Sequence, residues 1–183
     1  MKSTRFNFGR ALLTLCAIFF VSFSFISCQQ EDDEKPFNPS DPVAINSESK
    51  LIGDWSSSSE KFSVGSTKFS NYYFDSTSNN WVETYTGDNL YYIAASATSG
   101  YIYFKYTKAA TANWSYSSDV SQAPDVGKWY AIAYKNLTSS TISLSGAYKA
   151  SGVTSTDTLE EAIKEFTVEK GYFSYYSDDL TKN

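Results

Sequence analysis

The chain has 183 residues, 15 basic against 20 acidic side chains, a net charge of −5 and no histidine. Without histidine, a nucleophilic Ser or Cys lacks its usual base, and the zinc ligand sets built from Cys and His cannot form. Seventeen per cent of the residues are aromatic, so the chemistry of this chain lies in rings and hydroxyls rather than in charge.

The first ten residues carry Lys2, Arg5 and Arg10, and ALLTLCAIFFVSFSFIS (Ala11 to Ser27) is apolar or small throughout. A basic start, an apolar run and a small residue before a break describe a secretory signal, so residues 1–27 are expected to be removed. The alternative, an uncleaved spanning helix, meets a run at the short end of the roughly 17–25 residues required. Removal leaves 12 basic and 20 acidic residues, a net charge of −8 and no Arg. An acidic chain without Arg lacks the footprint that phosphate backbones require, which excludes nucleic acid as a partner. Cys16 leaves with the signal, and Cys28 becomes the single cysteine, unable to form an internal disulfide. Phe25-Ile26-Ser27-Cys28 resembles the lipobox of bacterial lipoproteins, with Phe in place of the usual Leu. The resemblance implies that Cys28 becomes the N-terminus and is acylated. Several acyl chains anchor firmly, at about 0.8 kcal/mol per buried CH₂.

QQEDDEKPFNPSDPVAINSESK (Gln29 to Lys50) holds three of the four prolines and few large apolar residues. Such a segment cannot bury enough surface to fold, so residues 28–50 are expected to be the lipidated cysteine and an extended tether spanning about 25 Å or more. Acids directly after the cysteine resemble the surface-export signal of Bacteroidetes lipoproteins, which implies an outer-membrane lipoprotein displayed at the cell surface. A merely solvated linker reads equally well.

Residues 51–183 are expected to form one domain with its own core. Leu51-Ile52-Gly53-Asp54-Trp55 opens it. KFSNYYFD (Lys68 to Asp75) and WVETYTG (Trp81 to Gly87) flank the turn STSNN. LYYIAASA (Leu90 to Ala97) and YIYFKYTK (Tyr101 to Lys108) flank TSG. KWYAIAYK (Lys128 to Lys135) and STISLSGAYK (Ser140 to Lys149) flank Asn136-Leu137-Thr138. Period-two aromatic and β-branched runs between Ser/Asn/Gly clusters predict successive antiparallel hairpins. NWSYS (Asn113 to Ser117) reads as a weak strand in a long loop. DTLEEAIKEF (Asp157 to Phe166) breaks the rule, with Leu159, Ala162, Ile163 and Phe166 at helical spacing. Either Thr158 with Glu161 or Asp157 with Glu160 supplies a capping box, Gly171 a stop, and YFSYY (Tyr172 to Tyr176) a last strand. The sum is about eight strands and one helix near the C-terminus.

The Gly53-Asp54-Trp55 tripeptide resembles the Gly-x-Trp signature of the lipocalin (calycin) family, whose helix likewise precedes a short final strand. The resemblance implies an antiparallel up-and-down β-barrel of about eight strands, with Gly53 turning the chain into the barrel and Trp55 packed across its closed end. Lipocalins stack an Arg on that Trp, and here only Lys170 or Lys182 could substitute, with poorer planar stacking. An open antiparallel meander sheet packed by the helix is the alternative. The block from Gly127 to Lys149, with TLEEAIKEFTVEKGYF after it, also resembles the C-terminal half of spirochaete lipoproteins.

No catalytic constellation stands out. A glycosidase-type carboxylate pair could be drawn from Asp54, Asp75, Glu83, Asp88, Asp119 or Asp125, but nothing in the spacing selects two of them. Neither DSTSNN nor SDVSQAPD follows a calcium loop. Asn113-Trp114-Ser115 and Asn136-Leu137-Thr138 match the N-glycosylation pattern by chance in a bacterial lipoprotein. No enzyme, metal site or cofactor is expected. One reading is a filled core of Trp55, Ile93, Ile102, Phe104, Ile132, Ile142 and Leu144. The other is a cup lined by Tyr73, Tyr91, Tyr103 and Tyr130, with Trp114 and Tyr116 at its mouth, holding one small apolar or aromatic molecule. The runner-up function is a monomeric interaction protein showing an aromatic face to another protein or glycan. A carboxylate hydrolase comes last.

Overall fold

A computed structural model describes residues 41–109 and 125–183. Among these residues nine strands and one helix follow in order: β1 (Val43–Ala44), β2 (Gly53–Ser56), β3 (Glu60–Val64), β4 (Lys68–Asp75), β5 (Asn80–Ala94), β6 (Gly100–Lys108), β7 (Trp129–Lys135), β8 (Thr141–Gly146), α1 (Leu159–Glu165) and β9 (Ser177–Lys182). From β2 to β9 each strand pairs antiparallel with the next, and β9 returns to β2 through Trp55–Lys182 and Ser56–Thr181. The sheet is therefore a closed eight-stranded up-and-down barrel with β1 added on β5, opposite Tyr91 and Tyr92. The open meander is excluded.

Side chains alternate along each strand and cross-strand partners share a face. Trp55–Phe62, Val64–Phe69, Ile102–Ile132, Phe104–Tyr130, Tyr134–Leu144 and Ile142–Leu180 are such partners, and all are buried. They mark the inner face. β7 is also buried on its other face at Ala131 and Ala133, where α1 packs on β6 and β7 and the small Ala side chains admit it. Thr158 caps the helix. Its hydroxyl accepts from the Glu161 N–H at 3.2 Å, and the Glu161 carboxylate accepts from the Thr158 N–H at 3.1 Å. Of the two candidate boxes, the chain uses this one.

Four expectations are corrected. Ile45 is buried and Val43–Ala44 pair with β5, so the folded domain takes in residues expected to be tether. The stretches 81–87 and 90–97 are not two strands. β5 runs through them, bent by register shifts around Gly87 and Asp88 and by Asn89 at φ +54°, so its first half pairs with β4 and its second with β6. These shifts do the work of β-bulges. The helix ends at Glu165 rather than at Gly171, because the Phe166 ring turns in against Tyr130 and Tyr172, 5.8 and 5.1 Å away. The last strand is not Tyr172–Tyr176. Tyr172 and Phe173 are buried against Phe166 and Tyr101, and the polar SDDLTK makes the ladder, with Leu180 alone buried. The weak strand read at 113–117 lies outside the described residues.

Trp55 has no accessible surface. Its indole N–H donates to the Leu51 carbonyl at 2.8 Å, and Lys182 Nζ lies 4.9 Å from its ring centroid. Of the two lysines considered, Lys182 takes the place over the ring, while Lys170 pairs with Glu165 at 2.7 Å. Gly53, at φ +148°, leaves the room for that lysine, because a Cβ there would overlap its side chain.

Candidate functional site

The rings at the centre of the barrel form one continuous stack. Phe69 and Phe104 lie 4.6 Å apart and nearly parallel over Gly87. Tyr85 stacks on both, and Tyr106 stacks on Tyr130 at 4.9 Å. The Tyr130 hydroxyl donates to the Ala147 carbonyl at 3.0 Å. Burial pushes the Tyr85, Tyr106 and Tyr130 phenols well above their usual pKa, and for Tyr85 the neighbouring Tyr130 and the Glu60 carboxylate add to the effect. All seven residues read as a filled core are buried. Six are among the inner-face partners, whereas Ile93 pairs with Tyr101 and so lies on the opposite face.

Beyond this stack a cleft of about 560 Å³ opens between β3, β8 and the segment entering β9. Phe62, Leu144 and Gly146 line its inner side, Glu60 and Lys135 its edges, and residues 174–178 its lip. A Cβ at Gly146 would lie 2.8 Å from the Tyr130 hydroxyl and 3.7 Å from that of Tyr85, so this glycine sits where the cleft meets the ring stack. Glu60 is on the same face as Phe62, two residues away on β3. Its carboxylate accepts from the Asn71 side-chain amide at 3.0 Å and from the Ser177 hydroxyl. Thr84, at the β4–β5 register shift, donates to the Asn71 carbonyl oxygens of both side chain and backbone. Lys135 pairs with Asp178 at 3.3 Å and lies 4.0 Å over the Tyr176 ring.

The residues named from the sequence divide. Tyr130 is on the inner face in the stack, and Tyr73, the cross-strand partner of Glu60, shares the face of that carboxylate. Tyr91 and Tyr103 are partners of one another on the opposite face: Tyr103 is buried beside Tyr101, and Tyr91 lies 6.0 Å from Trp129. They are not brought together with Tyr130. Trp114, Tyr116 and Cys28 lie outside the described residues. Sequence reasoning missed Tyr85 and Tyr106 in the stack, and Glu60, Ser177 and Tyr176 at the cleft. Parity along YIYFKYTK carried a signal for Tyr106, which follows Ile102 and Phe104 at period two.

Of the carboxylates considered for catalysis, Asp75, Glu83, Asp88 and Asp125 have other partners, Asp88 accepting from the Asn89 side chain at 2.8 Å. Asp75 shapes its turn, accepting from the Thr77 N–H at 2.9 Å and the Ser78 hydroxyl at 2.7 Å, bonds that hold its carboxyl below the usual range, the Ser78 bond first. Glu83 faces Lys68 and Lys108 at 3.5 and 3.6 Å, and Asp125 accepts from Ser155 at 2.6 Å. Asp119 lies outside the described residues. Among the described residues no group of three or more acidic or Cys side chains is placed to hold a metal ion. A second hollow of about 370 Å³ beside α1 is lined by charges that are already paired, Lys128 with Asp157 and Lys164 with Glu160. Comparison with protein-family models, with curated proteins and with solved structures gave no match to this chain.

Proposed function

We propose that this chain is a lipoprotein, anchored through acyl chains on Cys28, whose lipocalin-like barrel binds a small molecule with an apolar or aromatic body outside the cytoplasmic membrane. The cleft carries the reading. Its volume falls within the roughly 300–1,000 Å³ typical of small-molecule sites. It combines Tyr rings (Tyr175, Tyr176) with a few polar groups at the edge, backed by the buried Phe62 and Leu144, so that the rings can supply affinity and the polar groups orientation. Binding, not bond-making, is the proposed work, and no cofactor is part of it. The ring stack behind the cleft makes it a side entry to a mostly filled barrel rather than a hollow cup.

The test is mass spectrometry of small molecules extracted from the full-length protein and from a Ser174→Trp variant. Ser174 is an exposed lip residue, so the substitution fills the entrance without touching the core. A molecule carried by the parent and lost from the variant is expected; identical extracts would overturn the reading. For the anchor, metabolic labelling with a palmitate analogue should mark the protein, and Cys28→Ser should abolish the label.

A second reading draws on the outer face of β3–β5. Trp81, 37% exposed, meets Phe74 edge-on at 5.4 Å, and Lys61 lies 4.2 Å over Tyr72. Such a platform suits contact with a protein or glycan. Binding lost in Trp81→Ala but kept in Ser174→Trp would favour it.

A further inference from the structure

The charges around the cleft do not cancel. Glu60, Asp178 and Lys135 line it, and Lys135 is committed to Asp178 at 3.3 Å and to the Tyr176 ring. That leaves Glu60. Its two oxygens accept from Asn71 and Ser177, both neutral donors, and among the described residues no Lys lies within ion-pair distance of it. A carboxylate withdrawn partly from water pays a desolvation penalty that neutral hydrogen bonds offset only in part. Hydrogen bonds from Asn71 and Ser177 also fix the orientation of the group, as expected of one held ready for a ligand rather than paired within the fold. Each carboxylate oxygen has a lone pair left for a further donor. Tyr175 adds a ring face, to which a cation is attracted and an anion is not, while Lys135 already lies over Tyr176.

From this we infer that the cleft is built for an organic cation: a protonated amine on a small apolar or aromatic body, its ammonium set against Glu60 and its body against the exposed Tyr175 ring at the lip. The inference rests on the binding function proposed above and narrows it to a ligand class. The neutral Asn71 and Ser177 then have a role beyond packing, since they orient Glu60 without neutralising it. Lys135, held aside by Asp178, closes the edge and disfavours a second positive charge, so a monoamine fits better than a diamine.

The test uses three probes of one shape and different charge: phenethylamine, phenethyl alcohol and hydrocinnamate. Binding to the full-length protein in detergent is measured by titration calorimetry, with detergent alone as the blank. The amine is expected to bind about tenfold more tightly than the alcohol, the worth of one charge-assisted hydrogen bond, and the acid more weakly than either. Glu60→Gln keeps one acceptor oxygen for Asn71 and turns its amide N–H towards the Ser177 hydroxyl, and should bring the amine to the level of the alcohol. Equal binding of amine and alcohol by the parent, tighter binding of the acid, or a Glu60→Gln variant that keeps the preference would each overturn the inference while leaving a ligand site in place. Absence of binding by all three, together with identical extracts from the parent and Ser174→Trp, would overturn the binding function as well.

Discussion

The deepest test of the barrel is at Trp55. The side chain is fully buried, and truncation to Ala removes one of the largest apolar groups in the core, at a typical cost of about 3–5 kcal/mol. Two specific contacts go with it: the indole hydrogen bond to Leu51, whose residue is itself buried, and the Lys182 ammonium over the ring. We therefore expect Trp55→Ala to lose about 4 kcal/mol, a large fraction of the roughly 5–15 kcal/mol that holds an ordinary domain together. Two companions separate the terms. Trp55→Phe keeps a ring but leaves the Leu51 carbonyl without its donor, and should cost about 1–2 kcal/mol. Lys182→Met keeps the apolar stem and removes only the charge, about 0.5–1 kcal/mol. Urea unfolding followed by circular dichroism reads all three as changes in midpoint at constant slope. A loss below about 1 kcal/mol for Trp55→Ala, or a larger loss for Lys182→Met than for Trp55→Phe, would refute the placement of this tryptophan in a packed barrel closed by β9.

Three further outcomes follow from the same packing. Gly87→Val should cost about 3 kcal/mol or more in urea unfolding, because a Cβ there would meet the Lys105 carbonyl oxygen at 2.6 Å and overlap the Phe104 ring. Thr158→Ala should cost about 1 kcal/mol, since it removes the acceptor of the Glu161 N–H at the start of α1, whereas Thr158→Ser should restore most of it. At alkaline pH the inner phenols work against the fold. Burial, then Tyr92, pushes Tyr134 up to about 12, and burial raises Tyr85, Tyr106 and Tyr130 as well. The folded state holds these protons more tightly than the unfolded state, whose phenols titrate near pH 10, so their contribution is complete below about pH 10 and is lost progressively above it, for Tyr134 as pH rises through about 12. Unfolding midpoints measured from pH 8 to 12 should stay flat and then fall; a midpoint that rose above pH 10 would contradict the buried stack.

Much of the barrel was legible because it depends on alternation. KFSNYYFD, YIYFKYTK and KWYAIAYK read as strands and are strands, since a half-buried sheet imposes a period of two on its apolar residues. The helix was legible for the complementary reason, a 3.6 period behind a capping box. Elements that escaped are those decided by tertiary contacts. Residues Val43–Ala44 sit in a Pro- and acid-rich stretch with no periodic signal, and pair with β5 only because β4 leaves that part of the strand unpaired. EKFSV is too short and too mixed to announce β3, yet it supplies Glu60 and Phe62 to the cleft. The outward placement of Tyr91 was hidden because a bulge near Asp88 resets the parity of β5, and a doubled Tyr91-Tyr92 gives no hint of which ring turns inward, whereas that of Tyr103 follows from the alternation that turns Ile102 and Phe104 inward.

The final strand shows why that blind spot coincides with the candidate site. Had Tyr172–Tyr176 entered the sheet, an aromatic strand would have faced β8 and β2, and its inward rings would have occupied the space between Phe62 and Leu144. Instead Tyr172 and Phe173 spend their apolar surface on Phe166 and Tyr101. The chain crosses to the barrel through residues 174–176, and pairing begins only at Ser177. The register then slips between Ser177 and Leu180, with Asp179 at φ +56°, which brings Ser177 opposite Leu144 and its hydroxyl to Glu60. The cleft is thus the room left by a strand that starts late, and the hydrogen bond that orients its carboxylate comes from the first residue of that strand. A local conflict between aromatic propensity and polar ladder, unfavourable to reading the fold, is where a sequence shaped only for packing would have been expected to agree with itself.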